Sequence, residues 1–90
     1  MKKFDLPCYR TRKSFYGKAV VEEHDDGTAL LFSYNTPVCK LTPGGHFTRL
    51  WASYSATTTR HVDSFLIHYG YNNGGKAFWD ACPVNVPVKL

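Results

Sequence analysis

From Thr57 onward the apolar side chains Val62, Phe65, Leu66 and Tyr69 recur at i, i+3, i+4 and i+7, and Gly70 follows them. That spacing lines one face of an α-helix, and glycine is a natural stop, so a helix is predicted over 57–69. Thr57, Thr58 and Thr59 at its front are β-branched and middling helix formers. A hydroxyl of Ser55, Thr57 or Thr58 can, however, accept a hydrogen bond from a first-turn N–H that has no partner inside the helix. The threonine run therefore reads as a helix start rather than an active site.

The rest of the chain is patterned mainly with period two. Residues 8–24 predict one long strand, or two with a kink at Gly17. Tyr9, Phe15, Ala19 and Val21 would face the core, leaving Arg10, Arg12, Tyr16 and Lys18 on the opposite side as a basic stripe with one aromatic. Asp25-Asp26-Gly27 is a hairpin turn signal, and residues 28–35 should return antiparallel, with Leu30, Phe32 and Tyr34 on one face and Leu31 on the other. Thr36-Pro37 is expected to break the ladder. Residues 38–42 and 46–52 make two further strands around the Pro43-Gly44-Gly45 turn. After the Asn72–Gly75 loop, residues 76–82 form a short second helix ended by Pro83, and the proline-rich tail is an edge or a loosely ordered end. The resulting class is α+β: a small antiparallel β-meander of three to four strands packed against one main α-helix, each burying the other's apolar face. Ninety residues make a single domain, since so short a chain cannot sustain two cores.

Composition narrows the setting. The longest run of aliphatic or aromatic residues, Ala29 to Phe32, is far short of the roughly 20 apolar residues of a membrane span. Lys2 and Lys3 imitate the start of a signal peptide, but Asp5, Pro7 and Arg10 interrupt what should follow. The expected location is a bacterial cytoplasm. Cys8, Cys39 and Cys82 are odd in number and widely spaced, which fits reduced thiols. The formal charge of +4 is concentrated at the front: residues 1–18 hold six basic side chains and one acidic, while the remainder is nearly balanced. A local basic surface attracts phosphate or carboxylate groups whatever the fold.

Candidate chemistry is sparse. The four histidines and three cysteines could supply zinc ligands, but His61 and His68 are two helical turns apart, about 10 Å by helix rise. No cysteine is placed beside a histidine by spacing, and Glu22, Glu23, Asp25 and Asp26 cluster at a hairpin tip, where acids are usually only solvated. No catalytic residue and no cofactor are assigned. Binding has better support. Arg10, Arg12 and Lys18 can contact phosphates while Tyr16 stacks a base, although charged residues also simply blunt an edge strand. On the helix, Ile67 falls on the side shared by Arg60 and Asp63, away from the apolar face, where an outward aliphatic can nucleate an interface. Trp51, Tyr54, Tyr71, Phe78 and Trp79 are of the kind enriched at interface centres, the alternative being that most of them belong to the core.

Ser33-Tyr34-Asn35-Thr36-Pro37-Val38, then Arg49-Leu50-Trp51, then Tyr54-Ser55-Ala56-Thr57-Thr58 with Arg60-His61-Val62 and Phe65-Leu66, resemble a group of short proteins encoded by phages, plasmids and other mobile elements of gut bacteria. The resemblance spans roughly residues 15–70 and brings no catalytic residues. It implies a small accessory protein, in a setting that includes anti-CRISPR proteins binding Cas9. The expected function is accordingly non-enzymatic: inhibition of a host defence nuclease by direct binding to a protein or protein–nucleic-acid complex, through Arg10, Arg12, Tyr16, Lys18, Arg60, Asp63 and Ile67. The alternative is a basic nucleic-acid-binding accessory protein. The oligomeric state is left open.

Overall fold

The computed structural model describes residues 1–9 and 17–90. Among these, the strands are β1 (Lys2–Asp5), β2 (Ala19–Glu23), β3 (Ala29–Ser33), β4 (Thr36–Leu41), β5 (His46–Arg49) and β6 (Pro87–Lys89). The helices are α1 (Ala56–His68) and α2 (Gly75–Ala81). All strands lie in one antiparallel sheet in the order β1-β2-β3-β4-β5-β6. The class is α+β, as the patterning indicates, but the sheet has six strands rather than three to four. Both added strands are outermost and short. The charged β1, Lys-Lys-Phe-Asp, has no full alternation to read, and β6 forms in the tail expected to be an edge or a loose end.

Both helices lie on one face of the sheet. Ala19, Val21, Ala29, Leu31, Cys39, Leu41 and Phe47 supply the sheet's contribution to the core, against Val62, Phe65 and Leu66 of α1 and Trp79 of α2. Val20, Leu30 and Phe32 alternate to the other face and are only half-buried. Leu31 is therefore on the inward side of β3, with Ala29 and Ser33. Tyr69 fastens the far end of α1 by donating its hydroxyl to Glu23 Oε2 at 2.6 Å.

Two expectations fail near proline. Tyr9 is 46% exposed rather than inward, and neither Cys8 nor Tyr9 is in a strand. After Pro7 the chain leaves the sheet: the Tyr9 N–H donates to Ser64 Oγ at 3.4 Å, and its hydroxyl lies 2.8 Å from His68 Nδ1. Thr36-Pro37 does not break the ladder, because Thr36 pairs with Ser33 and Pro37 with Phe32 inside β4. Pro37 is tolerated because β5 pairs with β4 only from Cys39 onward, so no second strand asks Pro37 for an N–H. The register shifts between Leu31 and Phe32, which leaves Val38 as the extra residue of a bulge. Its carbonyl accepts the Leu50 N–H at 2.8 Å.

Arg49 closes the structure at the other end. It is 8% exposed, and its guanidinium donates to the carbonyls of Trp51, Ala52 and Trp79 at 2.9 Å each, and to those of Ser53 and Cys82 at 3.3 and 3.4 Å. It also lies 4.5 Å from the centre of the Trp79 ring. One planar fork thus ties β5, the 51–53 loop and the end of α2 together.

Candidate functional site

Ser33 and Thr36 form the last pair of β3 and β4, so Tyr34 and Asn35 make a two-residue hairpin loop. Both have positive φ, 50° and 68°, as a turn matching the right-handed twist of the strands requires. Asparagine adopts this region readily, whereas tyrosine does so against a steric penalty between its Cβ and the backbone. Tyr34 is nevertheless 54% exposed, so the strain is not offset by full burial of its ring.

Beneath this turn two of the three blocks that carry the sequence resemblance meet. Ser33 Oγ lies 2.8 Å from His61 Nδ1 and 3.2 Å from Thr58 Oγ1, all three residues being buried. The Tyr34 ring sits 5.7 Å from the His61 ring, tilted by 42°. Burial, aided by the positive charge of Lys18, lowers the His61 pKa to about 4, so the imidazole is neutral at physiological pH. The helix start that positions Thr58 and His61 is capped by Ser55, whose side chain accepts the Thr58 N–H at 3.0 Å, while Thr59 Oγ1 donates to the Ser55 carbonyl. Ser55 rather than a threonine is thus the N-cap, and of the threonine run Thr58 joins the buried lattice. A Ser–His contact of this length is also the geometry of a nucleophile and its base, but Ser33 is 3% exposed and His61 is fully buried, so a substrate does not reach them.

Tyr34 is flanked by exposed Asn35. The Tyr34 N–H donates to the Lys18 carbonyl at 2.8 Å, which places exposed Lys18 beside the turn. Lys18 sits in a turn with Gly17, not within a strand as the stripe required. On the helix-free face, Asn35 joins Lys3, Val20, Glu22 and Phe32 around a concavity of about 280 Å³.

The remaining expected contact residues are dispersed. Arg10, Arg12 and Tyr16 lie outside the described residues, as does Phe15. Arg60 is exposed on α1, next to His61. Asp63 turns to the neighbouring helix: its Oδ1 accepts the Gly75 N–H at 2.7 Å and supplies α2 with the cap that Gly74 cannot. Gly74, at φ 143°, has to be glycine, since a Cβ there would stand 2.5 Å from Asp63 Oδ1. Ile67 is half-buried. Among the described residues no three His, Cys, Asp or Glu side chains converge as metal ligands. No helix there is long and apolar enough to cross a membrane. Burial raises the thiol pKa of Cys39 and of Cys82, so neither is primed as a nucleophile.

Sequence reasoning missed the Ser33–Thr58–His61 lattice. A signal existed on the helix, where Thr58 and His61 continue the i, i+3, i+4 lattice of Val62 and Phe65 backwards by a turn. Nothing local pointed to Ser33, 28 residues from His61. No curated protein and no solved structure gives a significant match to the chain. The model of a family of unknown function, DUF8033, matches residues 5–81, and the chain belongs to that family.

Proposed function

We propose that this is a non-enzymatic binding domain that presents Tyr34, with Lys18 and Asn35 beside it, to a host protein or protein–nucleic-acid complex. The observation that carries this reading is the conformation of Tyr34: a large aromatic held in a left-handed turn, more than half exposed, over a buried polar lattice. Strain of this kind persists where the surroundings enforce it, and it concentrates at binding and switch positions. Tyrosine offers a large amphipathic contact with only two side-chain torsions to freeze, which suits an interface anchor. The setting implied by the sequence resemblance, an accessory protein of a mobile element, makes a defence nuclease such as Cas9 the first target to test, with the host cytoplasm as the place of action. A basic protein does not imitate DNA, so contact with an acidic protein patch or with guide RNA suits the charge.

The charge also favours a second reading, a nucleic-acid-binding accessory protein in which Lys18 meets phosphate and Tyr34 stacks a base. The two differ in salt response. Binding driven by phosphate weakens steeply between low and physiological salt, whereas a tyrosine-centred protein interface weakens less. Tagged protein is therefore used to capture partners from a gut-bacterial lysate with and without nuclease, at two salt concentrations. Retention of the same protein partner after nuclease supports the protein-binding reading. Loss of every partner on nuclease treatment overturns it in favour of the second.

A further inference from the structure

We propose that β1 is a self-pairing edge, through which two copies of this chain join into one continuous antiparallel sheet about a two-fold axis at Phe4. Among the described residues β1 is an outermost strand of the sheet. The Leu6 N–H donates to the Ala19 carbonyl at 2.9 Å, which continues the register of Phe4 with Val21 and Lys2 with Glu23. The even-numbered residues of β1 therefore turn their backbone groups toward β2, and Lys3 and Asp5 turn theirs outward. Both of these residues are exposed. An open row of N–H and C=O groups is a template for another strand, and identical chains bring an identical row.

Charge selects the register. Pairing about a two-fold axis normal to the sheet must match outward-facing backbone groups, so the axis falls at Lys3, Phe4 or Asp5. An axis at Lys3 sets lysine against lysine, and one at Asp5 sets aspartate against aspartate. With the axis at Phe4, Lys3 of each copy stands opposite Asp5 of the other, and each pair exchanges both backbone hydrogen bonds. Phe4 then faces its own copy in the closer, non-hydrogen-bonded position. Its ring already lies 5.4 Å from His68, itself 5.9 Å from the Tyr9 ring, so the helix side of the junction carries an aromatic cluster from each copy. Asp5 Oδ1 accepts the Gly17 N–H at 3.2 Å, and a carboxylate can serve this donor and a lysine together. Pro7 lacks an N–H and limits the added ladder to this short run. A short edge with one lysine and one aspartate thus discourages indiscriminate pairing and accepts a single partner.

Sedimentation velocity tests the proposal. The 10.2 kDa chain should approach twice that mass as its concentration rises to about 1 mM. Lys3→Glu and Asp5→Lys each set like charges opposite one another at both symmetric pairs, and each should self-associate about tenfold more weakly or not at all. An equimolar mixture of the two restores opposite charges at every position and should regain the dimer. Amide hydrogen exchange on the unaltered chain gives a readout that needs no variant: the Lys3 and Asp5 amides should slow as concentration increases. A constant 10.2 kDa mass, variants that dimerise as well as the parent, a mixture that stays monomeric, or exchange independent of concentration would each overturn the proposal.

Discussion

The left-handed backbone at Tyr34 makes an unusual stability prediction, because replacing this residue by glycine should be less damaging than replacing it by alanine. Either substitution removes the ring and its contact with His61, so the difference between them isolates the backbone. At an ordinary strand or helix position glycine is about 0.5–1 kcal/mol worse than alanine, since it loses more freedom on folding. At φ 50° a Cβ costs about 1–2 kcal/mol, and glycine does not carry that cost. The balance favours Tyr34→Gly over Tyr34→Ala by about 0.5–1 kcal/mol, the reverse of the usual order. In a domain of this size that is a gap of about 3–6 °C in melting temperature. Thermal unfolding of both variants, followed by circular dichroism, measures it. An alanine variant as stable as the glycine variant, or more so, would refute the claim that the turn holds Tyr34 under strain.

Arg49→Met should lower stability by about 3 kcal/mol, since it strands buried carbonyls that a charged donor satisfied. A urea titration followed by tryptophan fluorescence should show the midpoint fall by roughly 2 M, and Arg49→Lys should recover little of the loss because it lacks the fork. His61 gives a pH dependence. Its folded pKa of about 4 lies below the ordinary 6.5, so between those values the unfolded chain binds the extra proton and stability falls as pH falls. The loss should approach about 3 kcal/mol near pH 4 and level off below it, and denaturant curves of His61→Gln over the same range should lack this component. Ser55→Ala should cost about 1 kcal/mol through the lost helix cap, measurable in the same titration.

The parts of the fold legible in the sequence are those governed by local periodicity and turn chemistry. Val62, Phe65, Leu66 and Tyr69 mark α1 to within a residue at each end, and Asp25-Asp26-Gly27 and Pro43-Gly44-Gly45 turn the chain where expected. What escaped was set by partners distant in sequence. Four residues of charged β1 become a strand because β2 is already there to receive them. Pro37 survives in β4 only because of where β5 begins. The site divides in the same way: Lys18 and Arg60 are exposed as expected, whereas Asp63 serves α2, a role fixed by the position of Gly75. Tyr34-Asn35 could have been read as a tight turn from its asparagine, but tyrosine in the first position is a poor turn former, and it hid the signal.

Ser33, Thr58 and His61 fix the height and direction of the turn from below, so Tyr34 can be changed without disturbing the strands on either side. That separation permits a direct test of the binding role. Purified Tyr34→Gly, its fold verified by circular dichroism, is compared with the parent chain for capture of the same nuclease-resistant partner at physiological salt. The account predicts that the folded variant loses the partner. Undiminished capture would show that the tyrosine at the turn is not where this domain makes contact.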